Sequence, residues 1–153
     1  MFKVVSEVID RDAVRQAVED PAFGAVLIFE GVARNNFEGR AVHALEYEAF
    51  PEMAEAEMRA IGEELAARWP GSKCAIVHRT GRLVIGEPSV IIAVGTPHRA
   101  AAYEANRFAI DELKRRVPVW KKEVYDDGAT WKPNAEADQG SVQAATQTGT
   151  ERP

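Results

Sequence analysis

Apolar and polar positions alternate over residues 2–9, which predicts an opening strand. Asp10 suits a helix N-cap, and Pro21 stops the short helix expected between them, to about Asp20. Residues 24–29 (Gly-Ala-Val-Leu-Ile-Phe) form a continuous apolar run, the mark of a buried strand, and residues 34–40 read as a turn-rich polar loop. Over 41–49 the pattern alternates again, with Leu45, Tyr47 and Ala49 set against Glu46 and Glu48. Pro51 then opens an amphipathic helix carrying Met53, Ala54, Met58, Ile61, Leu65 and Trp69, ended by Pro70-Gly71. Three strands follow at 74–78, 82–85 and 89–94, separated by Gly81 and by Gly86-Glu87-Pro88. A second long helix begins after Pro97 with Ala102, Ala105, Ala109 and Leu113 on one face. Pro118 ends it, and residues 119–125 form a last strand.

The order β-α-β-β-α-β-β-β-α-β mixes hairpins with crossovers, so the fold class is α+β: three helices on a mixed or antiparallel sheet. Beyond Trp131 the chain is Asn, Gln, Thr, Ala, Gly and Glu, with Val142 its one large apolar residue. Such a segment buries too little to offset its ordering entropy, so residues 1–132 are expected to form the domain and 133–153 a flexible polar tail.

A length of 153 residues suits one domain, and 46% hydrophobic with 28% charged residues suits a globular one. The single Cys74 excludes an internal disulfide and a cysteine-built zinc site, and His43, His78 and His98 have no metal-ligand spacing, so no metal or cofactor is expected. No apolar run approaches a membrane span, and Met1-Phe2-Lys3 leads straight into strand-like sequence; a cytoplasmic protein that binds no membrane is expected. A net charge of −5 argues against nucleic-acid binding.

Charge is nonetheless segregated. From His98 to Lys122 there are seven Lys/Arg against three acids, so this segment is +4 and the remainder of the chain −9. The simplest purpose is to bind a small anion. Within it, Thr96-Pro-His-Arg places Thr96 as an N-cap and Pro97 at the first helical position, with His98 and Arg99 in the first turn. Cations there oppose the helix dipole unless a phosphate arrives to reverse the sign. Lys114, on the last turn, and Lys121, beyond the reversal at Pro118, can reach one pocket wall; crowded ammonium groups depress each other's pKa and make a lysine available as base or nucleophile. A basic helix C-terminus complementing the dipole is the plainer reading, and Arg115 and Arg116 fit it. Arg34, at a strand end beside Asn35 and Asn36, offers a planar fork for an anion, or a solvated loop arginine. Cys74, in an apolar strand, reads as a buried inert thiol.

Five stretches in series carry a resemblance: Phe29-Glu-Gly-Val-Ala-Arg34-Asn, Leu45-Glu-Tyr-Glu48, His78-Arg-Thr-Gly-Arg-Leu83, Pro97-His-Arg99, and Leu113-Lys through Trp120-Lys-Lys-Glu123. Over about residues 3–131 the chain resembles the large subunits of molybdopterin synthase, the MoaE family. The resemblance implies an α/β-hammerhead-type fold and conversion of a cyclic pyranopterin monophosphate (precursor Z) to molybdopterin. Two sulfurs would come from the thiocarboxylated C-terminus of a small ubiquitin-like sulfur-carrier subunit. It also implies a homodimer within a heterotetramer. Carried over residue by residue, it gives Lys114 and Lys121 catalytic roles and makes Val32, Ala33, Arg34, His98, Arg99, Lys114, Lys121, Lys122 and Glu123 the substrate-binding set. Ala33 stands where valine is commoner and Val32 where a polar residue can occur, both presenting mainly backbone. Two other readings use the same basic segment: a non-catalytic dimeric module binding a phosphorylated small ligand, and a domain docking an acidic protein.

Overall fold

The structure, a computed structural model, describes residues 1–133. Its first sheet has the strand order β1 (Phe2–Val5), β6 (Lys73–Arg79), β8 (Pro88–Thr96), β2 (Ala25–Val32); β1 runs parallel to β6 and the other pairs are antiparallel. The second sheet, antiparallel throughout, has the order β10 (Gly128–Pro133), β9 (Val119–Tyr125), β5 (Ala44–Ala49), β7 (Gly81–Val84). A two-strand ribbon of β3 (Asn36–Phe37) and β4 (Arg40–Ala41) stands apart. Its turn residues Glu38 and Gly39 have positive φ of 49° and 77°, the handedness that a two-residue hairpin turn of type I′ requires.

Every position of β8 is buried, because the strand lies inside its sheet with both faces covered. Helix α1 (Arg11–Gln16) covers one face through a small cluster of Ile9, Val14, Val18, Ala75, Val77, Ile91 and Ala93. Helices α2 (Pro51–Arg68) and α3 (Arg99–Arg116) cover the other, and the main core joins Met58, Ile61, Leu65, Ala105, Ala109 and Leu113 to Leu45, Tyr47, Leu83 and Val119 of the second sheet. Close approach is built in at Gly62 of α2, where a Cβ would lie 2.2 Å from the Phe2 ring of β1. The buried Asn106 of α3 donates to the carbonyls of Leu27 (3.1 Å, β2) and Ile92 (3.3 Å, β8), pinning the helix to both strands. At its C-terminal end Arg116 bonds Glu64 (2.8 Å) and Glu57 (3.2 Å) of α2.

The α+β class and the three helices are those expected. Five local expectations change. The apolar run at 24–29, expected as a buried strand, forms β2 at the edge of its sheet, half-buried and with Ile28 38% exposed, because only one neighbour strand covers it. The opening strand stops at Val5 rather than 9, and α1 stops at Gln16 rather than near 20. The loop at 34–40 contains the β3–β4 ribbon. The chain from Gly128 to Pro133 is a strand, so Pro133, expected to open the flexible tail, belongs to β10; the rest of that expected tail, 134–153, lies outside the described residues. Among the described residues no helix is long and apolar enough to cross a membrane.

Candidate functional site

Strand β9 alternates strictly, and its period of two sends consecutive lysines to opposite sides. Val119, Lys121, Glu123 and Tyr125 point inward and are buried; Trp120 and Lys122 point outward. Lys121 is 5% exposed and Glu123 1%, so the strand carries an ion pair into the interior. Burial of a charge is tolerated only when it is paired and hydrogen-bonded, and Glu123 is both. Its Oε1 lies 3.4 Å from Lys121 Nζ, its Oε2 accepts from Lys132 Nζ at 3.1 Å, and the Tyr125 hydroxyl also donates to Oε2. Burial alone pushes the Glu123 carboxyl up, but those bonds and the two ammonium charges outweigh it and hold the group below the usual carboxylate range. The Tyr125 phenol is pushed up to about 12, first by desolvation and then by the carboxylate it serves. Phe37 of the ribbon forms a wall, with Lys132 Nζ 3.6 Å and Lys121 Nζ 5.7 Å from its ring centroid.

Lys121 and Glu123 border a cleft of about 100 Å³, lined also by Gly31, Val32, Arg34, Tyr47 and Lys114. Lys114 arrives from the last turn of α3, and the reversal at Val117–Pro118 brings β9 back beside it. Arg34 follows the end of β2, where the chain is fixed by Ala33 N donating to Glu87 O (3.0 Å) and Gly86 N donating to Ala33 O (2.8 Å). Deeper in, His78 of β6 is 1% exposed, donates from Nδ1 to Arg79 O at 3.0 Å and meets Tyr47 edge-on at 5.2 Å. Desolvation lowers its imidazole to about 4, Lys114's charge adding to the effect, so His78 is neutral at pH 7.

Of the nine expected site residues, Val32, Arg34, Lys114, Lys121 and Glu123 line this cleft. Ala33 is buried next to them but does not line the cleft; its N–H and C=O are bonded to Glu87 and Gly86. Lys122 does not join: it lies on the outer face of β9, 2.7 Å from Glu46 and over the Trp131 ring at 5.1 Å. His98 and Arg99 are exposed at the opposite end of α3, about 22 Å along the axis from Lys114 at 1.5 Å per residue. The cap also differs from expectation. Thr96 still belongs to β8 and its hydroxyl donates to His98 O at 2.7 Å, so His98 itself is the N-cap and Arg99 the first helical residue. That helix start has no side-chain cap bond and no acid in its first turn.

Lys132, Tyr125 and Phe37 were not among the expected residues. Asp127-Gly128 between two aromatic-rich runs was the available signal, since Asp-Gly is a strong hairpin mark, and it pairs Lys132 with Lys121 in the β9–β10 register. Cys74, read as a buried inert thiol, is half-buried in β6 rather than fully buried, with its thiol pushed up to about 12 by burial. Among the described residues no three His, Cys, Asp or Glu side chains are grouped to hold a metal ion.

The MoaE protein family model matches residues 4–116. The molybdopterin synthase catalytic subunit of Homo sapiens is 48% identical over 136 residues, covering 89% of this chain and 72% of the human protein. That of Staphylococcus carnosus is 45% identical over 130 residues, covering 85% and 87%. The crystal structure of molybdopterin synthase from Staphylococcus aureus superposes with a TM-score of 0.84 at 43% identity, over 86% of this chain and 96% of that one. The family match ends at Arg116, before β9, but a similarity of 136 residues in a chain of 153 must include Lys121 and Glu123 wherever it starts. With the hammerhead-like pairing of two sheets and three helices, these similarities establish that the chain belongs to the MoaE family.

Proposed function

We propose that this chain acts as the catalytic subunit of a molybdopterin synthase, moving two sulfurs from a thiocarboxylated small subunit onto precursor Z. The carrying observation is the burial of Lys121 beside Glu123 in a cleft that also receives Lys114 and Arg34. Both reactants are anionic, and the cleft offers cations from β9, α3 and the β2 end without a competing carboxylate other than Glu123 among its lining residues. In this reading Arg34 and Lys114 orient the pterin and polarise its electrophilic carbon. Lys121 moves protons as the thiocarboxylate sulfur adds and as water then hydrolyses the acyl–sulfur bond, releasing the carrier as its carboxylate. The C-terminus of a small ubiquitin-like partner would thread into the cleft, its negative end drawn by these cations. The relatives' name, a catalytic subunit, supports a second kind of subunit in the assembly.

His98 and Arg99 enter the proposal through dimerisation. One chain cannot bring them to Lys121, because α3 separates them, whereas a second copy can present its helix start to the cleft. The uncapped N–H groups of that start, with the two cations, would hold the phosphate of precursor Z. Lys122, on the outer face, would act from beside the cleft or not at all. We place the activity in residues 1–132, in the cytoplasm and without a bound cofactor.

Purified chain mixed with precursor Z and thiocarboxylated small subunit should release molybdopterin, and complex formation should weaken as salt rises. Binding of precursor Z without product would instead favour a non-catalytic module, and binding of neither reactant would overturn the proposal.

A further inference from the structure

Lys121 faces several ionisable groups. On its own strand are Glu123 and, through it, Tyr125; from β10 comes Lys132, from α3 Lys114, from the β2 end Arg34, and from β5 Tyr47, its partner in register. The ribbon adds Arg40, whose guanidinium lies 3.8 Å from the Tyr125 ring centroid. The Glu123 carboxylate is divided among them. Lys121 meets Oε1 at 3.4 Å, longer than the Lys132 bond to Oε2 at 3.1 Å, and the Tyr125 hydroxyl shares Oε2. Both ammonium groups lie against the Phe37 ring, so two like charges occupy one buried wall.

We propose that Lys132 is a positioning residue for Lys121: by occupying Oε2 of Glu123 it divides the charge that would otherwise hold Lys121 as an ammonium, and so eases release of the Lys121 proton. This rests on the reading of Lys121 as the group that moves protons. An undivided carboxylate beside a buried lysine favours the charged form, whereas a second cation on the same carboxylate opposes it. The step is loss of one N–H proton to substrate or solvent and requires no further reactant. Lys132 itself is half-buried, its side chain 28% exposed, whereas Lys121, at 6%, bears the greater desolvation.

The test compares wild type, Lys132→Gln and Lys132→Arg as full chains assembled with the thiocarboxylated small subunit. Lys132→Gln retains a donor but loses the charge; Lys132→Arg retains both. Two quantities are read: the titration of Lys121, by carbon-13 NMR of lysine Cε assigned with Lys121→Arg, and the pH dependence of kcat. Lys132→Gln should raise the Lys121 titration and the acid limb of kcat together by about one pH unit, a roughly tenfold loss below the limb, with KM changed less than about twofold. Lys132→Arg should restore both. A Lys121 titration unmoved in folded Lys132→Gln overturns the inference. A titration that moves while the kcat profile does not overturns the proton-moving role of Lys121 and, with it, the catalytic meaning of Lys132. Circular dichroism of both variants separates these outcomes from a failure to fold.

Discussion

The two ends of α3 carry cations of opposite character. At the start, His98 and Arg99 stand in solvent, beside uncapped N–H groups and without an acid in the first turn. At the finish, Lys114 turns into a cleft where Lys121 and Glu123 are nearly sealed from water. Exposed cations cost little and can wait for a ligand, since water solvates them in its absence. Buried ones need permanent partners, and β9 and β10 supply these as Glu123, Tyr125 and Lys132. The first arrangement suits recognition; the second suits chemistry, because a low-dielectric site lets neighbours set a protonation state.

Replacing residues at the two ends should therefore give unequal losses. Lys121→Ala should lower molybdopterin formation by about 100-fold or more with the fold intact by circular dichroism; a variant above about half the wild-type rate would remove lysine chemistry from the mechanism. At the other end, Arg99→Ala should raise the Kd for precursor Z by about tenfold, the loss of one charge-assisted contact, and leave kcat comparatively unaffected at saturation. Dimers mixed from Arg99→Ala and Lys121→Ala chains should regain activity at the one cleft that combines two wild-type contributions. No recovery would assign both groups to a single chain's site and break the comparison.

Acid should act on the buried end first. His78 has its pKa depressed from 6.5 to about 4, so the unfolded chain binds the extra proton across that window. The associated stability is complete above about 6.5 and is lost as pH falls toward 4, amounting to about 3–4 kcal/mol at 1.36 kcal/mol per unit. Urea titrations at pH 6.5 and 4.5 should show it, and His78→Leu should flatten the difference. The smallest effect is expected from Lys122→Ala. Its ion pair with Glu46 is partly solvated, worth about 1 kcal/mol or less, and it lies outside the cleft. An activity loss comparable to that of Lys121→Ala would show that the outer face of β9 also meets substrate.

Regular periodicity made much of this legible. The alternation around Tyr47 and the Ala102–Leu113 stripe each had one physical solution, and the structure adopts it, whereas the apolar run before Phe29 forms an edge strand that is only half-buried. Pro118 likewise announced the reversal that joins Lys114 to Lys121. What composition concealed was local competition. Thr96 looks like a cap, but pairing with Ala25 keeps it in β8, and the cap passes to His98. Lys121 and Lys122 look equivalent until pleating separates them. Lys132 sits where polar residues begin to dominate, and its register opposite Lys121 becomes visible only once Asp127-Gly128 is taken as a hairpin turn.

The amide of Asn106 has a consequence for the assembly. Bonded to carbonyls on two neighbouring strands, it prevents α3 from sliding along or turning about its axis without breaking both bonds inside the core. Arg116 fastens the same helix to α2. The helix is therefore a ruler of set length, and the interval between its cationic tip and its lysine-bearing foot is fixed. If the proposed site joins two copies, fit to the substrate would come from how two such rulers are laid against each other. In a dimer built this way, substitutions at the subunit contact would tune the size of the reaction chamber while every residue lining it stayed the same.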